Sequence, residues 1–414
     1  MFYPKNSEAA LSRGLFENPT SEYRAVPFWS WNCELKKDLL AKQIGYMKEM
    51  GFGGYDMHPR IGLATPYLSD EFMDIVRFCV EKGKSEGMYA WLYDEDKWPS
   101  GYAGGFVTED IEMRRKRLWF TPTPYDDGTL TLGGDKANAI TSLPKGKYIF
   151  LAAYDVSLDE SGDLLSYRRI DISERAEGKK YFAYLEYDAD DDRFNGQAYV
   201  DTLKKEAIDK FIKVTHERYK AVIGDEFGKA VPAIFTDEPQ FSHVSVLNFA
   251  KQDKGGASYP FTNDFEDTFR TAYGVSLLDS FPEVVWNLAG GRLSKIRYLF
   301  FDHAAERFAE AYSDNIGAWC RENNILMAGH VMDEFLLKTQ TWAVGDCMRQ
   351  YRGFGIPGID MLADKRELTT AKQAQSMSRQ MGAPGVLSEL YGVTRWEFDF
   401  RGHSFRVTGR RQWA

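Results

Sequence analysis

The chain has 414 residues, of which 52 are basic and 61 acidic, giving a formal net charge of −9. Hydrophobic residues make up 43% and aromatic residues 15%, which is typical of a folded globular protein rather than a disordered or coiled-coil chain. The acidic balance, without a basic stripe, argues against nucleic acid as a partner. Four cysteines without a Cys-x-x-Cys pair argue against a zinc knuckle or a disulfide scaffold. The sequence contains neither a signal peptide nor a transmembrane run, so we expect a cytoplasmic protein and no membrane partner.

The first hundred residues alternate short apolar runs with helical periodicity. Strands are predicted at Ala25–Trp31, Phe52–His58 and Met88–Asp94. Apolar residues from Leu35 to Met50 follow helical spacing, and Ser69 has the features of the N-cap of a second helix. This β-α-β-α-β order predicts parallel strands that are joined by helical crossovers and buried on both faces.

The periodicity changes near residue 108. From there to residue 198 the sequence is rich in β-branched and aromatic residues, and Asp-Gly and Ser-Gly turns separate several of the segments. We predict a small antiparallel β insertion over 108–198. It divides a barrel into a first part at 1–107, with strands one to three, and a second part at 199–414, with strands four to seven.

Helical periodicity returns over Leu203–Ile223 and again near Lys365–Met381. Four further strands are predicted, at Val231–Asp237, Ile325–Val331, Ile356–Met361 and Gly385–Leu390. Seven β-α steps predict an α/β fold, a (β/α)8 TIM-type barrel that is incomplete at its C-terminus. The lack of a G-x-G-x-x-G turn argues against a dinucleotide-binding sheet.

Enzymes of this barrel type place their catalytic groups at the C-terminal ends of the strands. The predicted strands end in these polar or aromatic residues: Trp31, Asn32, Asp56, His58, Asp94, Glu95, Asp96, Trp98, Asp237, Glu238, His330, Asp360, Glu389 and Tyr391. The density of carboxylates is informative, because cleavage of a glycosidic bond uses two carboxyl groups. We predict Glu238 and Glu389 as this catalytic pair and the remaining residues of the set as substrate-binding.

Several of these residues also have structural interpretations. Glu238 could be the first acid of a helix, and His58 and His330 could bind hydroxyls, orient a carboxylate or serve only the core. Asp94–Asp96 could ligate Ca²⁺, bind sugar hydroxyls or cap a loop, and at most two of the three acids can share one site. We therefore predict that no metal is required, with calcium as the minority alternative. Trp31 and Trp98 are candidate platforms for sugar rings.

Five stretches of the sequence resemble a known family: Pro27–Asn32 (PFWSWN), Gly51–Phe72, Trp91–Gly105, Ile234–Phe241 (IFTDEPQF) and Leu387–Gly392 (LSELYG). They are similar to bacterial TIM-barrel glycoside hydrolases, in particular to the α-L-rhamnosidases of glycoside hydrolase family 106. The resemblance extends over residues 20–400. It implies a barrel, sugar chemistry and calcium in the site. In the wider group of barrel glycosidases the acid/base follows strand four and the second carboxylate follows strand seven, which implies these roles for Glu238 and Glu389.

The chain departs from this family at its end. Members are usually longer, with an eighth strand and β-sandwich domains after the barrel, whereas this sequence stops shortly after strand seven. Its last residues, Phe405–Ala414, are basic and unlike the family's continuation. We hypothesise that a frameshift truncated the gene.

Three functions remain open at this point. The leading one is a glycoside hydrolase that cleaves an oligosaccharide or glycoside with a pair of carboxylates. The second is a carbohydrate-binding protein or a catalytically impaired, truncated remnant of such an enzyme. The third is a metal-dependent hydrolase or aldolase on the same fold. A carbohydrate is the expected partner in the first two, and a second copy of the chain could replace the missing strand in a homo-oligomer.

Overall fold

The computed structural model describes residues 12–124, 147–241, 256–362 and 368–397. The strands are β1 (Phe28–Trp31), β2 (Gly54–Pro59), β3 (Tyr89–Tyr93), β4 (Lys116–Thr121), β5 (Tyr148–Leu158), β6 (Leu164–Ile170), β7 (Lys179–Tyr187), β8 (Ala233–Asp237), β9 (Ala257–Pro260), β10 (Leu326–His330), β11 (Ile356–Met361) and β12 (Leu387–Leu390). The α-helices are α1 (Arg13–Glu17), α2 (Lys37–Glu49), α3 (Asp70–Glu86), α4 (Lys205–Val214), α5 (His216–Ile223), α6 (Phe265–Tyr273), α7 (Leu277–Ser280), α8 (Pro282–Val285), α9 (Lys295–Phe308), α10 (Asn315–Glu322), α11 (Leu337–Ala343), α12 (Cys347–Tyr351) and α13 (Thr369–Met381). Within these ranges no helix combines the length and the apolar character needed to cross a bilayer.

The larger sheet is parallel and has the strand order β1-β2-β3-β8-β10-β11-β12. All seven predicted strands are present in it. The crossover helices begin and end as the sequence indicates: the Ser69 hydroxyl accepts the Phe72 N–H at the start of α3, and Gly87 ends that helix with φ 70°. Apolar residues of α2 and α3, such as Ile44 and Val76, are buried in the main hydrophobic core.

The predicted (β/α)8 barrel is nevertheless wrong for the part of the chain that the structure describes. The parallel sheet has seven strands there, and β1 and β12 are its two edges rather than paired neighbours. Residues of both edge strands, among them Phe28 and Leu387, line one cavity of about 640 Å³. Among the described residues the two edge strands therefore border one cavity and do not pair with each other.

The predicted insertion after strand three is also wrong as stated. The antiparallel sheet has the order β6-β5-β7-β4-β9, and β9 follows β8 in the sequence rather than lying within 108–198. Arg117–Phe120 of β4 pairs with Ala257–Pro260 of β9. A four-residue edge strand that ends in proline, within a segment of helical character, is too short to show strand periodicity. The second sheet is thus assembled from two separate parts of the chain.

The parallel sheet is strongly curved, as contacts between distant strands show. Phe28 of β1 and Phe235 of β8 have ring centroids 5.1 Å apart, although two strands lie between them in the sheet. His58 packs against Phe28 and Tyr93 at 4.6 and 3.8 Å, and His330 packs edge-on against Phe235 at 5.5 Å. These five rings form an inner aromatic layer on the concave face.

A smaller apolar cluster contains side chains from earlier in the same strands: Trp91, Ala233, Ala328 and Ile356. Because alternate residues of a strand point to the same face, the residues that follow the inner aromatic layer also project on the concave side. One of these next residues is Asp237, two positions after Phe235 in β8. The fold therefore directs polar groups of several strands toward one place at the carboxyl end of the sheet.

Two glycines allow the central strands to approach closely. Gly329 in β10 has φ +123°, and a Cβ atom there would lie 2.0 Å from the carbonyl oxygen of Thr236 in β8. A Cβ atom at Gly358 in β11 would lie 2.4 Å from the carbonyl oxygen of Gly329. Any side chain at either position would separate strands that carry the polar groups.

We expect Gly329→Ala to lower the free energy of unfolding by at least about 2 kcal/mol, because it combines a forbidden φ with a backbone clash. Gly45→Ala is the matched control, since Gly45 lies in the interior of α2 with open space around it. That control should gain about 1 kcal/mol from helix propensity. Urea denaturation of both variants measures the difference, and a Gly329→Ala protein as stable as the native one would contradict the argument.

Candidate active site

Four strands deliver side chains to one place at the carboxyl end of the parallel sheet. Asp237 ends β8 and lies opposite His330, which ends β10. Asp360 in β11 lies opposite Glu389 in β12. Glu238 follows β8 directly. We call these five residues the carboxylate cluster, and it contains both members of the predicted catalytic pair.

His330 lies at the centre of the carboxylate cluster and is fully buried. Its Nε2 lies 2.8 Å from Glu389 Oε2 and 3.8 Å from Asp237 Oδ1. Burial by itself lowers the pKa of His330, but the hydrogen bond to Glu389 and the charges of Glu389, Asp237 and Asp360 outweigh it and raise the pKa well above its ordinary value. His330 is therefore an imidazolium that donates a hydrogen bond to Glu389 at neutral pH.

Asp237 is held from the neighbouring strand and from a loop. The Tyr93 hydroxyl donates to Asp237 Oδ2 at 2.6 Å. The backbone N–H of Asp237 donates to Ser100 Oγ, and this hydroxyl donates to Asp94 Oδ1 at 2.5 Å. Burial raises the pKa of Asp237 to about 6, against the opposing effect of His330, and burial raises the pKa of Asp94 to about 8. The buried acids thus retain protons at a pH where exposed carboxyls have lost theirs.

Glu238 has an unusual backbone and a protonated side chain. Its φ of +45° is a left-handed conformation that residues other than glycine adopt rarely and at a cost of about 1–3 kcal/mol. The Trp98 indole N–H donates to Glu238 Oε2. Burial raises the pKa of Glu238 to about 8, although His330 acts to lower it. A carboxyl group that keeps its proton at neutral pH can act as a general acid.

Two further acids, Glu334 and Asp56, lie next to the carboxylate cluster. Glu334, which is buried, accepts the backbone N–H of Asp360 at 2.8 Å, and burial raises the pKa of Glu334 to about 7. Asp56 is 2% exposed and lines the cavity between the sheet edges. Burial, followed by the charges of Asp237 and Glu389, raises the pKa of Asp56 well above its usual range. Both acids therefore keep their protons to a higher pH than an exposed carboxyl group does.

The structure distributes the remaining predicted site residues unevenly. Trp31 is 1% exposed and packs edge-on against Trp29 and Phe72, so both faces of its ring are used by the core. Asn32 is exposed after β1, and within the described ranges no hydrogen bond connects its side chain with the carboxylate cluster. Tyr391 follows β12 with φ +75° and lines the cavity between the edges.

His58 and the three acids after β3 also have distinct positions. Burial lowers the pKa of His58 to about 3, so His58 is a neutral member of the inner aromatic layer. Asp94 is buried against Ser100, and Asp96 accepts the side-chain amide of Asn195 at 3.0 Å. Glu95 is buried and hydrogen-bonded only to backbone N–H groups. The three consecutive acids do not converge on one point, and this does not fit the oxygen cage of a calcium ion.

Sequence reasoning assigned no site role to three residues that hold the site, although Glu334 was among the polar residues noted after the fifth predicted strand. Tyr93 precedes the predicted Asp94 in the same strand, and alternation along the strand could have identified it as inward-facing. Ser100 and Glu334 lie in loops, and no local pattern distinguishes a loop residue that folds back onto a strand end. Their hydrogen bonds to Asp94 and Asp360 appear only in three dimensions.

Two overlapping groups in the described part of the chain bring three potential metal ligands together. They are Asp237 with His330 and Glu389, and Glu238 with His330 and Asp360, each with ligand atoms within 4.8 Å of one another. An imidazole with two carboxylates suits a transition metal better than calcium, which takes six to eight oxygen ligands. A metal could use only one of the two groups at a time, because both need His330, and it would have to displace the imidazolium proton.

Comparison with known proteins finds a likeness to solved structures. No protein-family model matches the chain, and no curated protein matches it in sequence. Among solved structures, a rhamnosidase from Novosphingobium sp. PP1Y is similar, with a TM-score of 0.60 and 14% sequence identity. The match covers 91% of this chain and 52% of the rhamnosidase, so the chain spans about half the length of that protein. The chain therefore shares its fold with part of a rhamnosidase.

The protonated buried acids make stability fall with rising pH. Asp94 keeps its proton up to a pH of about 8 in the folded protein but loses it near pH 4 when unfolded. The folded state therefore binds more protons between these values, and ionisation of Asp94 destabilises it as the pH rises. We expect the melting temperature of Asp94→Asn to exceed that of the native protein increasingly between pH 5 and about 8.

The control for this prediction is Asp38→Asn, which changes an exposed aspartate in the first turn of α2. Its melting temperature should run parallel to that of the native protein over the same pH range. A constant offset between Asp94→Asn and the native protein would show that Asp94 is ionised throughout.

Proposed function

We propose that the protein is a glycoside hydrolase in which Glu238 is the general acid and Glu389 is the nucleophile or general base. The observation that carries this proposal is the contrast between the two carboxyls around His330. Burial raises the pKa of Glu238 to about 8, whereas Glu389 accepts a hydrogen bond from the His330 imidazolium. Acid-assisted cleavage of a glycoside needs two nearby carboxyl groups with different pKa values, so that one can donate a proton while the other acts as nucleophile or base.

In the proposed reaction the Glu238 carboxyl gives its proton to the glycosidic oxygen as the bond to the anomeric carbon breaks. Glu389 attacks that carbon to form a glycosyl ester, which water then hydrolyses, or it takes a proton from the water that attacks the carbon directly. His330 keeps its proton and holds Glu389 in place. The reaction needs only these carboxyl groups, and calcium remains a prediction that comes from the sequence resemblance.

The likeness to a rhamnosidase supports a sugar substrate, although 14% identity carries no more than the fold. The strings shared with family 106 α-L-rhamnosidases point in the same direction. Trp98 is 37% exposed next to Glu238, where a sugar ring can stack on it. We therefore propose a glycoside as substrate, with an α-L-rhamnoside the first to be tested.

Glu238→Gln should reduce the turnover of aryl glycosides with poor leaving groups by about 100-fold or more, because general acid catalysis supplies about that factor. The measurement is release of phenols from a panel that includes α-L-rhamnosides and β-galactosides. Glu49→Gln is the control, because Glu49 is an exposed glutamate at the end of α2. Native protein that binds these sugars without turning them over would instead favour a carbohydrate-binding protein.

The pH profile tests the assignment of the acid. Since Glu238 acts in its protonated form and its pKa is about 8, kcat/KM should fall as the pH rises through about 8. The charge of His330 acts to lower the pKa of Glu238, and the charge of Asp237 acts to raise it. A profile that already falls between pH 4 and 5 would contradict the role of Glu238 as the acid.

A further inference from the structure

The loop after β3 is wrapped around one buried carboxylate. Glu95 is fully buried, and all its hydrogen bonds come from backbone N–H groups of the loop itself. Oε2 accepts from Gly101, Tyr102 and Ala103 at 3.0, 2.9 and 2.7 Å, and Oε1 accepts from Asp96 and Gly104 at 2.8 and 2.6 Å. Burial raises the pKa of Glu95 well above its usual value, and the backbone N–H donors act to lower it. A carboxyl group offers about four lone-pair positions, so these five bonds leave no oxygen of Glu95 for a sugar hydroxyl.

The loop needs glycine where it turns around Glu95. Gly101 has φ +130° and Gly104 has φ +62°, conformations in which L side chains are strained. A Cβ atom at Gly101 would lie 2.6 Å from Val200. The path of the loop is therefore fixed by its backbone and by the carboxylate at its centre.

Trp98 lies on this loop and contacts the proposed acid. Its indole N–H donates to Glu238 Oε2, while the guanidinium carbon of Arg193 lies 4.3 Å from the centroid of its ring. Asn195 binds the loop from the same side, since its amide donates to the carbonyl oxygen of Gly104 at 2.9 Å. The position of Trp98 thus depends on Glu95, which holds the loop, and on Arg193 and Asn195, which contact the loop from the segment after β7.

We propose that Glu95 is a positioning residue that acts through Trp98 to orient the Glu238 carboxyl toward the leaving oxygen of the substrate. The proposal rests on the proposed function, because it needs Glu238 to be the acid. Glu95 touches neither the substrate nor Glu238. Its effect reaches the reaction only through the loop and the single indole hydrogen bond.

Glu95→Gln is the sharpest variant. In this variant an NH₂ group replaces one of the two carboxyl oxygens. It faces two backbone N–H groups at the position of Oε1 or three at the position of Oε2. Because donors then face donors in either orientation, the loop has to move. Trp98→Phe is the second variant, because it removes the indole N–H and leaves an aromatic ring at a partly exposed position. Trp396→Phe is the matched control, since Trp396 is exposed in the segment after β12.

The experiment compares two aryl glycosides of the sugar that the native protein hydrolyses. One has a poor leaving group that needs protonation, and the other releases 2,4-dinitrophenolate, which leaves without it. We expect both variants to lose about 100-fold in kcat/KM on the poor leaving group, the cost of displacing a reacting group by about 1 Å. In Glu95→Gln the loss in kcat/KM on the dinitrophenyl glycoside should stay below about 5-fold, and in Trp98→Phe, whose ring is also the proposed sugar platform, the loss should be much larger on the poor leaving group than on the dinitrophenyl glycoside.

Equal losses on the two substrates, or no loss in Glu95→Gln, would overturn the proposal and make Glu95 a structural residue only. Acrylamide quenching of tryptophan fluorescence shows, independently of activity, whether the loop that carries Trp98 has moved. The fluorescence of Trp98 is obtained by subtracting the spectrum of the Trp98→Phe protein. Acrylamide should quench this fluorescence to a different extent in Glu95→Gln than in the native protein, and equal quenching would overturn the proposal. Native protein that is inactive on every glycoside tested would instead refute the proposed function, while the quenching result would still report on the loop.

Discussion

The ion pair between His330 and Glu389 is the interaction on which the site depends. Several acids are buried within a few ångströms at the end of the parallel sheet, and most of them keep their protons because burial raises their pKa values. One imidazolium, with its Nε2 at 2.8 Å from Glu389, supplies a positive charge among these acids. Its charge acts to lower the pKa values of Asp237 and Glu238, and without it this effect and the hydrogen bond to Glu389 would both be lost.

The curvature of the sheet makes this arrangement possible. Side chains that project from the concave face form an inner aromatic layer, and the residues beyond it converge as polar groups. Glycines at Gly329 and Gly358 allow the strands that carry His330 and Asp360 to lie close together. Tyr93 and Ser100 then fix Asp237 from two directions.

Much of this could be predicted from the sequence, because the strands are apolar runs whose ends are marked by acids and histidines. All seven parallel strands were predictable in this way, and so was the grouping of Asp237, Glu238, His330, Asp360 and Glu389. Whether β1 and β12 pair with each other was not predictable, because pairing between distant strands leaves no local pattern in the sequence. β9 escaped prediction because four residues are too few to show alternation. Trp31 was predicted as a sugar platform, although it packs between Trp29 and Phe72, since an aromatic residue at a strand end has the same local pattern in a core and in a site.

The protonation state of His330 tests this account most directly. Nitrogen-15 NMR of the imidazole side chains can resolve the six histidines, and the His330→Gln protein assigns the signal. We predict that at pH 8 one imidazole shows both ring nitrogens protonated and that this signal is lost in His330→Gln. A neutral tautomer of His330 at pH 7 would contradict the account, because the contact between His330 and Glu389 would then not be an ion pair.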